Sequence, residues 1–371
     1  MLSYVVSAFI LAATASAVPH YPQLGCKELS IPVTVSVPRF IVNATVNDNW
    51  DAIALTLALT RRDFSEETDP LPISGRTSEP VESKFKVGAT LCGRGGPTLV
   101  LTHGILESKL YWQPTFRASD KYNFVKAAVA AGYSVLNYDR IGVGSSSKVD
   151  ALSDAQFQVE AAVLDSLVDY ARYATNATKV ALVGHSYGAY LTVASAASKK
   201  TAVDAIVLTG FAGGFNYFGP FLAGSGFRVA RIQDPIRWGA LDSGYLTSAD
   251  LFAETYSYFG EENDFERRVA EWSYFKGSEP FAVGELPSLI ASSPLDFAGV
   301  TASVLAIQGQ FDLSGCGGNC VGLLDGLKDD FASAKIVKTV DNLPAGHNLN
   351  LHKVAPQAFE TIFSFLKSQG V

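Results

Sequence analysis

The sequence contains no run of lysine or arginine, and its 29 basic and 36 acidic side chains give a net charge of −7. Proteins that bind nucleic acid need a basic surface to follow the phosphate backbone. We therefore expect no nucleic-acid partner. Histidine is also scarce, with five residues in the chain, so there are few candidates for a general base.

Cysteine is equally sparse, with four residues that permit three disulfide pairings. Their neighbourhood in the sequence favours Cys316 with Cys320, which leaves Cys26 with Cys92. Free buried thiols are the alternative. No second Cys or His pair accompanies Cys316 and Cys320, so a zinc site is disfavoured. We expect neither a metal nor a cofactor.

The N-terminal apolar stretch at 2–13 is too short to cross a bilayer. Ala15-Ser16-Ala17 follows it, the small-x-small pattern of a secretory signal cleaved near Val18. No Lys or Arg precedes the stretch, which departs from that pattern, and a buried strand or membrane anchor is the alternative. We expect a signal peptide at 1–17, a secreted chain and no stable membrane insertion. Acceptor tripeptides begin at Asn43 and Asn176 and predict glycosylation there.

The 371 residues, 48% of them hydrophobic, suffice for one large α/β domain with an insertion. In residues 27–60, apolar and polar side chains alternate, which predicts antiparallel strands. Residues 63–82 are polar and predict an exposed loop. Beyond residue 96, strands and helices alternate, which predicts a mostly parallel sheet with helices on both faces. The predicted strands are 98–102, 134–138, 179–183, 205–208, 303–308 and 335–340. The predicted helices are 122–131, 155–173, 187–198, 321–334 and 354–369.

The interval between the fourth and fifth of these strands is too long for an ordinary crossover. It predicts an inserted subdomain at 211–298, within a core made of 18–210 and 299–371. Residues 211–281 hold 17 of the 42 aromatic residues. The insertion is typical of a helical lid that supplies an apolar pocket. The alternative is that most of these rings form the small core of the insertion itself.

A predicted strand ends in Gly184-His185-Ser186-Tyr187-Gly188 and leads into an Ala-rich helix. A serine on such a turn stands at the top of the sheet, where its Oγ can reach a substrate carbonyl. The two glycines let neighbouring backbone pass close to this strained turn. The motif alone also occurs by chance in loops, so it needs further support.

Ser186 needs a base, because a serine hydroxyl is a weak nucleophile at neutral pH. His347 follows the last predicted strand and is the expected base, with His352 near the start of the final helix as the alternative. A carboxylate must orient that base. Asp312 lies just beyond strand 303–308 and is the expected acid, with Asp341 as the fallback.

The order Ser186, Asp312, His347 resembles that of the α/β-hydrolase superfamily. The resemblance extends from about Gly96 to the C terminus. Other motifs that carry it are His103-Gly104 after a strand, the segment from Asp139 to Ser146, and Gly-x-x-Asp followed later by Gly-His. The N-terminal segment up to Cys92 is similar to that of secreted fungal members. The resemblance implies the α/β-hydrolase fold, with a mostly parallel central sheet, helices on both faces and an inserted helical cap.

The resemblance also implies an oxyanion hole formed by the backbone N–H groups of Ile105 and Tyr187. His103 is expected to support this loop by hydrogen bonding. The residues expected to contact substrate are His103, Tyr111, Trp112, Phe211 and Phe215.

These features predict a secreted, cofactor-independent serine hydrolase. Its expected substrate is a small carboxylic ester or lactone with an apolar or aromatic group, cleaved through an acyl-enzyme. The alternatives on the same site are hydroxynitrile lyase or perhydrolase activity, an amidase or peptidase, and a lipase. A binding protein without catalysis is a further alternative, and the oligomeric state is left open.

Overall fold

The computed structural model describes residues 25–64, 71–198 and 202–371. The signal peptide expected at 1–17 lies outside these residues. Disulfides join Cys26 to Cys92 and Cys316 to Cys320, the pairing that the sequence favoured. Among the described helices, none combines the length and apolarity needed to cross a bilayer.

Strands and helices alternate along most of the described chain. The strands are β1 (Lys27–Val37), β2 (Phe40–Val42), β3 (Ile73–Arg76), β4 (Val81–Cys92), β5 (Thr98–Thr102), β6 (Ser134–Tyr138), β7 (Val180–His185), β8 (Ala205–Thr209), β9 (Arg228–Val229), β10 (Tyr245–Thr247), β11 (Phe281–Ala282), β12 (Ser303–Gly309) and β13 (Val337–Leu343). The helices are α1 (Asn49–Phe64), α2 (Phe124–Ala130), α3 (Phe157–Thr175), α4 (Tyr187–Ala197), α5 (Phe218–Ser225), α6 (Ala230–Gln233), α7 (Pro235–Trp238), α8 (Leu251–Tyr258), α9 (Arg267–Trp272), α10 (Glu285–Ala291), α11 (Leu313–Cys316), α12 (Leu327–Asp330) and α13 (Ala355–Ser368).

Eight strands form the central sheet, in the order β1-β4-β6-β5-β7-β8-β12-β13. All neighbours from β6 to β13 in this order run parallel, while β4 pairs antiparallel with β1 and β6. Every residue of β5, β6, β7, β8 and β12 is buried, as expected for strands covered by helices on both faces. The α/β-hydrolase fold that the resemblance implied is therefore confirmed. Ser186, Asp312 and His347 follow the carboxyl ends of β7, β12 and β13.

The N-terminal region contains a helix where the alternating pattern predicted strands. Helix α1 begins just after Asp48, whose carboxylate accepts the N–H of Trp50 at 2.8 Å, as an N-terminal cap does. Ala52 and Leu59 are buried at helical spacing. The prediction of strands failed here because the sequence of a partly apolar helix can also show alternating apolar and polar residues over a short window.

Two other segments differ from their predictions. The loop predicted at 63–82 contains β3, which pairs with β2, and the start of β4, while residues 65–70 lie outside the described part. The helix predicted at 321–334 is reduced to α12. Gly322 interrupts it with a φ of +82°, and its N–H donates to the Asp341 carboxylate at 2.7 Å.

The insertion between β8 and β12 contains α5 to α10, and we call this segment the cap. Beside the expected helices it contains a three-stranded antiparallel sheet, β11-β10-β9, which the sequence did not predict. Its strands are only two or three residues long, too short to produce a readable alternation.

A buried ion cluster joins the cap to the core. Nη1 of Arg140, which follows β6, lies 2.7 Å from Oε2 of Glu160 on α3 and 2.8 Å from Oε2 of Glu285 on α10. Burial raises the pKa of both carboxyl groups, against the opposing charge of Arg140. The guanidinium also donates to the Gly104 carbonyl at 3.2 Å, so this cluster reaches the loop after β5.

Candidate active site

Ser186 occupies a strained turn between β7 and α4, with φ of 54° and ψ of −124°. Left-handed φ values are uncommon for residues other than glycine and cluster at functional sites. A Cβ atom on Gly184 would lie 2.4 Å from the Gly188 carbonyl oxygen. A Cβ atom on Gly188 would lie 2.3 Å from the Thr102 carbonyl oxygen. The turn can therefore form only with glycine at both positions.

Asp312 and His347 are brought together at the top of the sheet. Nδ1 of His347 lies 2.7 Å from Oδ2 of Asp312, and both side chains are buried. The same carboxylate accepts the Gln308 amide at 2.5 Å and the Gly315 N–H at 2.7 Å. These donors fix the carboxylate, and the carboxylate fixes the ring so that Nδ1 carries the proton and Nε2 is left as the base.

His347 lines the same cavity as Ser186. Its Nε2 atom is buried and has no hydrogen-bond partner within the described residues. No hydrogen bond joins Nε2 to the serine hydroxyl in this state, and catalytic hydrogen bonds of this kind are often long before substrate binds. The arrangement leaves a free imidazole nitrogen beside a serine presented by a strained turn.

The electrostatics of the site stabilise the positive charge that His347 gains when it takes up a proton. Burial alone would lower the pKa of His347, but the charge and hydrogen bond of Asp312, and the charge of Glu107, outweigh it and raise the pKa above its usual value. An imidazolium that forms at this position is therefore stabilised.

The two expected oxyanion donors lie at the cavity. Ile105 and Tyr187 both line it, and neither backbone N–H makes a hydrogen bond within the described residues. Tyr187 is the first residue of α4, where N–H groups have no partner inside the helix. Unpaired N–H groups of this kind can stabilise a negatively charged oxygen.

The loop after β5 is fixed by its neighbours. His103 is fully buried; its Nδ1 donates to the Gly104 carbonyl at 2.8 Å, and its Nε2 accepts the Arg140 N–H at 3.1 Å. Burial and the charge of Arg140 hold the pKa of His103 well below its usual range, so the ring is neutral. His103 thus connects this loop to the segment after β6, and it does not line the cavity.

The cavity is small, about 20 Å³, and its lining is mostly apolar. The lining residues are Ile105, Ser186, Tyr187, Tyr190, Gly210, Phe218, Phe221, Leu286, Ser314, Gly315 and His347. Phe218, Phe221 and Leu286 come from the cap. Two wider crevices, of about 530 and 600 Å³, contain neither Ser186 nor His347.

The other side chains expected to contact substrate do not line this cavity. Tyr111 stacks on His185 with ring centroids 4.4 Å apart, and Trp112 packs edge-on against Tyr111. Phe211 is fully buried, and both Phe211 and Phe215 pack against Tyr190. These rings serve the core, and the sequence pattern could not separate them from Phe218 and Phe221.

Asp341, the alternative acid, and His352, the alternative base, make hydrogen bonds away from Ser186. Asp341 caps the turn at Gly322, as described above. His352 is fully buried, and its Nε2 accepts the N–H groups of Gly260 and Gly346, each at 3.0 Å. Its Nδ1 donates to the Asn348 carbonyl at 2.8 Å. His352 therefore holds the loop that carries His347 against the cap.

Within the described ranges, no three His, Cys, Asp or Glu side chains are grouped so that they could hold a metal ion. The site consists of a serine, an imidazole, a carboxylate and unpaired backbone donors.

The sequence model of the alpha/beta hydrolase family matches residues 99–359. The chain belongs to this family. A 1-acylglycerol-3-phosphate O-acyltransferase from Arabidopsis thaliana is 33% identical over 119 residues, and a probable one from Oryza sativa subsp. japonica is 32% identical over 117. Each match covers 32% of this chain and 26% of the relative, so the chain spans about a quarter of the length of these relatives.

Solved structures share the fold. A thermostable carboxyl esterase from Bacillus coagulans has a TM-score of 0.56 at 14% identity, over 78% of this chain and 95% of that one. An esterase from Thermogutta terrifontis has a TM-score of 0.55 at 16% identity, with the same coverage of both chains. A bromoperoxidase from Bacillus anthracis has a TM-score of 0.53 at 18% identity, over 77% of this chain and 96% of that one. At these identities the similarity concerns the fold alone.

His352 gives the fold a specific sensitivity to acid. Burial lowers the pKa of His352 from 6.5 to about 4. The unfolded chain gains a proton at this residue below about pH 6.5, whereas the folded chain gains it only near pH 4, so stability is lost as the pH falls through this range. This histidine accounts for about 3 kcal/mol of that loss.

The variant His352→Gln keeps an oxygen that can accept the two N–H groups but cannot take up this proton. Its free energy of unfolding, measured in urea between pH 6.5 and 4, is expected to fall less steeply than that of the wild type. His352→Leu removes the acceptor and is expected to lose about 2 to 4 kcal/mol already at pH 7.5. Equal pH dependence of the wild type and the Gln variant would show that His352 is not held neutral by the fold.

Proposed function

We propose that this protein is a serine hydrolase that cleaves carboxylic esters through an acyl-enzyme. The observation that carries the proposal is the 2.7 Å contact between Asp312 and His347, a residue that lines one cavity with Ser186. Ile105 and Tyr187, whose N–H groups have no partner within the described residues, line the same cavity. Membership of the alpha/beta hydrolase family supports it.

The geometry suggests the following sequence of steps. Oγ of Ser186 attacks the ester carbonyl carbon while Nε2 of His347 takes the hydroxyl proton, and Asp312 stabilises the imidazolium. The N–H groups of Ile105 and Tyr187 bind the oxyanion of the tetrahedral intermediate. His347 then protonates the departing alcohol, which leaves the acyl group on Ser186. Water, deprotonated by His347, then attacks the carbonyl carbon of this acyl-enzyme. The bond from this carbon to Oγ breaks, His347 returns the proton to Oγ, and the acid is released.

The cavity lining supports an apolar acyl group. Phe218, Phe221, Leu286 and Tyr190 line the cavity together with Ser186, and Ser314 is a polar residue of the same lining. A volume of about 20 Å³ holds little more than one water molecule. The cap side chains must therefore move to admit an ester, and the smallest acyl groups require the least movement.

We also infer that the protein is exported. Two disulfides support this, because such bonds persist mainly in oxidising compartments. Asn43 and Asn176 are both exposed, as glycan acceptors must be.

Loss of the nucleophile is the first test. Ser186→Ala is expected to lower kcat for p-nitrophenyl acetate by about 10⁴-fold or more, with an unchanged melting temperature, because the hydroxyl that forms the acyl-enzyme is removed. Ser166→Ala, on the outer helix α3, is the control and is expected to match the wild type. Ester hydrolysis retained in Ser186→Ala would refute the assignment. Products formed with peroxide or a cyanohydrin would instead reveal perhydrolase or lyase chemistry.

The second test concerns the acyl pocket. Phe218→Ala enlarges the cavity from the cap side, so the ratio of kcat/KM for the octanoyl ester to that for the acetyl ester is expected to rise by roughly 10-fold or more. Phe275→Ala removes an exposed cap aromatic outside the cavity and should leave this ratio unchanged. An equal ratio in both variants would place the acyl group elsewhere.

The third test concerns export. Expression of the full chain in a eukaryotic secretory host is expected to deliver protein to the medium with an N terminus near Val18. Treatment with a glycosidase that removes N-linked glycans is expected to lower its mass, and the double variant Asn43→Gln, Asn176→Gln should show no such loss. A product retained in the cytosol with residues 1–17 intact would contradict the inference.

A further inference from the structure

A second carboxylate, that of Glu107, lies buried close to the catalytic groups. Its side chain is 5% exposed, and Oε2 accepts the Gly104 N–H at 2.7 Å. The other oxygen, Oε1, has no hydrogen-bond partner within the described residues and lies 3.4 Å from Nε2 of His185. Burying a carboxylate that is only half satisfied is costly, so a function for this charge is to be sought nearby.

The first contact of Glu107 controls the oxyanion loop. Gly104 directly precedes Ile105, whose unpaired N–H lies at the cavity. A Cβ on Gly104 would lie 2.8 Å from Cβ of Ser186, so this backbone is already as close to the serine as packing allows. The hydrogen bond from Gly104 to Glu107 is therefore one of the contacts that hold the backbone that carries the Ile105 N–H, together with the bond from Arg140 to the Gly104 carbonyl. On the other side, the Tyr258 hydroxyl from the cap donates to the Ile105 carbonyl at 2.9 Å.

The second contact of Glu107 is with an imidazole beside the base. The rings of His185 and His347 have centroids 4.8 Å apart. Nε2 of His185 lies 3.3 Å from Oδ1 of Asn348, and its Nδ1 lies 2.9 Å from the Thr209 hydroxyl. Since Oδ1 and the carboxylate can only accept, Nε2 of His185 carries a hydrogen that lies between them. Glu107 and His185 thus form a second acid–imidazole pair next to Asp312 and His347.

The charge of Glu107 also reaches His347. Asp312 is the larger influence and Glu107 the smaller one, and both raise the pKa of His347 against the effect of burial. The titratable groups that face Glu107 or His347 from the surrounding elements are His185, Tyr111, Glu254, Tyr258 and Asp312.

We propose that Glu107 is a positioning residue for the reaction, which holds the oxyanion loop through the Gly104 N–H and places a second negative charge behind the imidazolium of His347. The proposal rests on the proposed ester hydrolysis. It gives a function to a buried carboxylate oxygen that has no hydrogen-bond partner in the part of the chain that the structure describes.

The variant Glu107→Gln tests the charge. Glutamine keeps the size of the side chain and an oxygen for the Gly104 N–H, but it removes the negative charge. Because His347 then loses a proton more easily, the acid limb of the pH profile of kcat/KM is expected to shift to lower pH. The value of kcat is expected to fall by roughly 10-fold, less than the loss of about 100- to 1000-fold for a missing oxyanion donor, with KM within about twofold of the wild type.

The variant Glu107→Asp tests the hydrogen bond separately. Aspartate keeps the charge but is too short to reach Gly104, so kcat should fall while the acid limb stays near its wild-type position. Glu360→Gln, on the exposed face of α13, removes a carboxylate far from the site and serves as the control for both variants. If Glu107→Gln fails to fold, the kcat of Glu107→Asp still tests whether the hydrogen bond to Gly104 positions the loop.

A wild-type kcat together with an unmoved acid limb in Glu107→Gln would overturn the proposal, as would a wild-type kcat in Glu107→Asp. These outcomes differ from failure of the proposed function. In that case the wild-type protein itself would not hydrolyse esters, and Ser186→Ala would be indistinguishable from it.

Discussion

The hydrogen bond between Asp312 and His347 is the interaction on which the site depends. A buried carboxylate is costly unless its oxygens are paired and hydrogen-bonded. The carboxylate accepts from Gln308 and Gly315 as well as from the ring. The disulfide from Cys316 to Cys320 closes the chain directly after this turn. The residues that follow β12 therefore fix the position of the His347 ring.

The cap takes part in this geometry as well as covering the cavity. The Asn348 N–H donates to the Tyr258 carbonyl at 2.8 Å, and His352 joins the same loop to Gly260. Residues at the end of α8 thus hold the loop of the base, while Phe218 and Phe221 of α5 close the space above the serine. Because α8 is tied to the loop that carries His347, a movement that opens the cavity is expected to involve α5 and its side chains more than α8.

The sequence predicted the features that depend on local pattern. Strands β5 and β6 were predicted at the bounds that the structure shows, because continuous apolar runs between turns indicate buried parallel strands. The glycines around Ser186 and the position of Asp312 beyond a strand indicated the site, because a parallel sheet collects the ends of its strands at one edge.

Features that depend on contacts between distant segments could not be predicted in this way. Nothing in the composition of the cap separates Phe218, which lines the cavity, from Phe211, which packs in the core. Glu107 was missed because it lies in a loop without a motif of its own, and its two partners, Gly104 and His185, become neighbours only when β5 and β7 pair. The one signal available was its position three residues after Gly104.

The central claim is that Ser186 is an activated nucleophile, and covalent labelling tests it most directly. The folded protein, treated briefly with a fluorophosphonate at neutral pH and digested, should yield a single modified peptide that carries the label on Ser186. Labelling should disappear when the protein is unfolded in urea before treatment, because reactivity requires His347 and Asp312 to be in place. An unlabelled Ser186 in the folded protein, or equal labelling of folded and unfolded chains, would contradict the account.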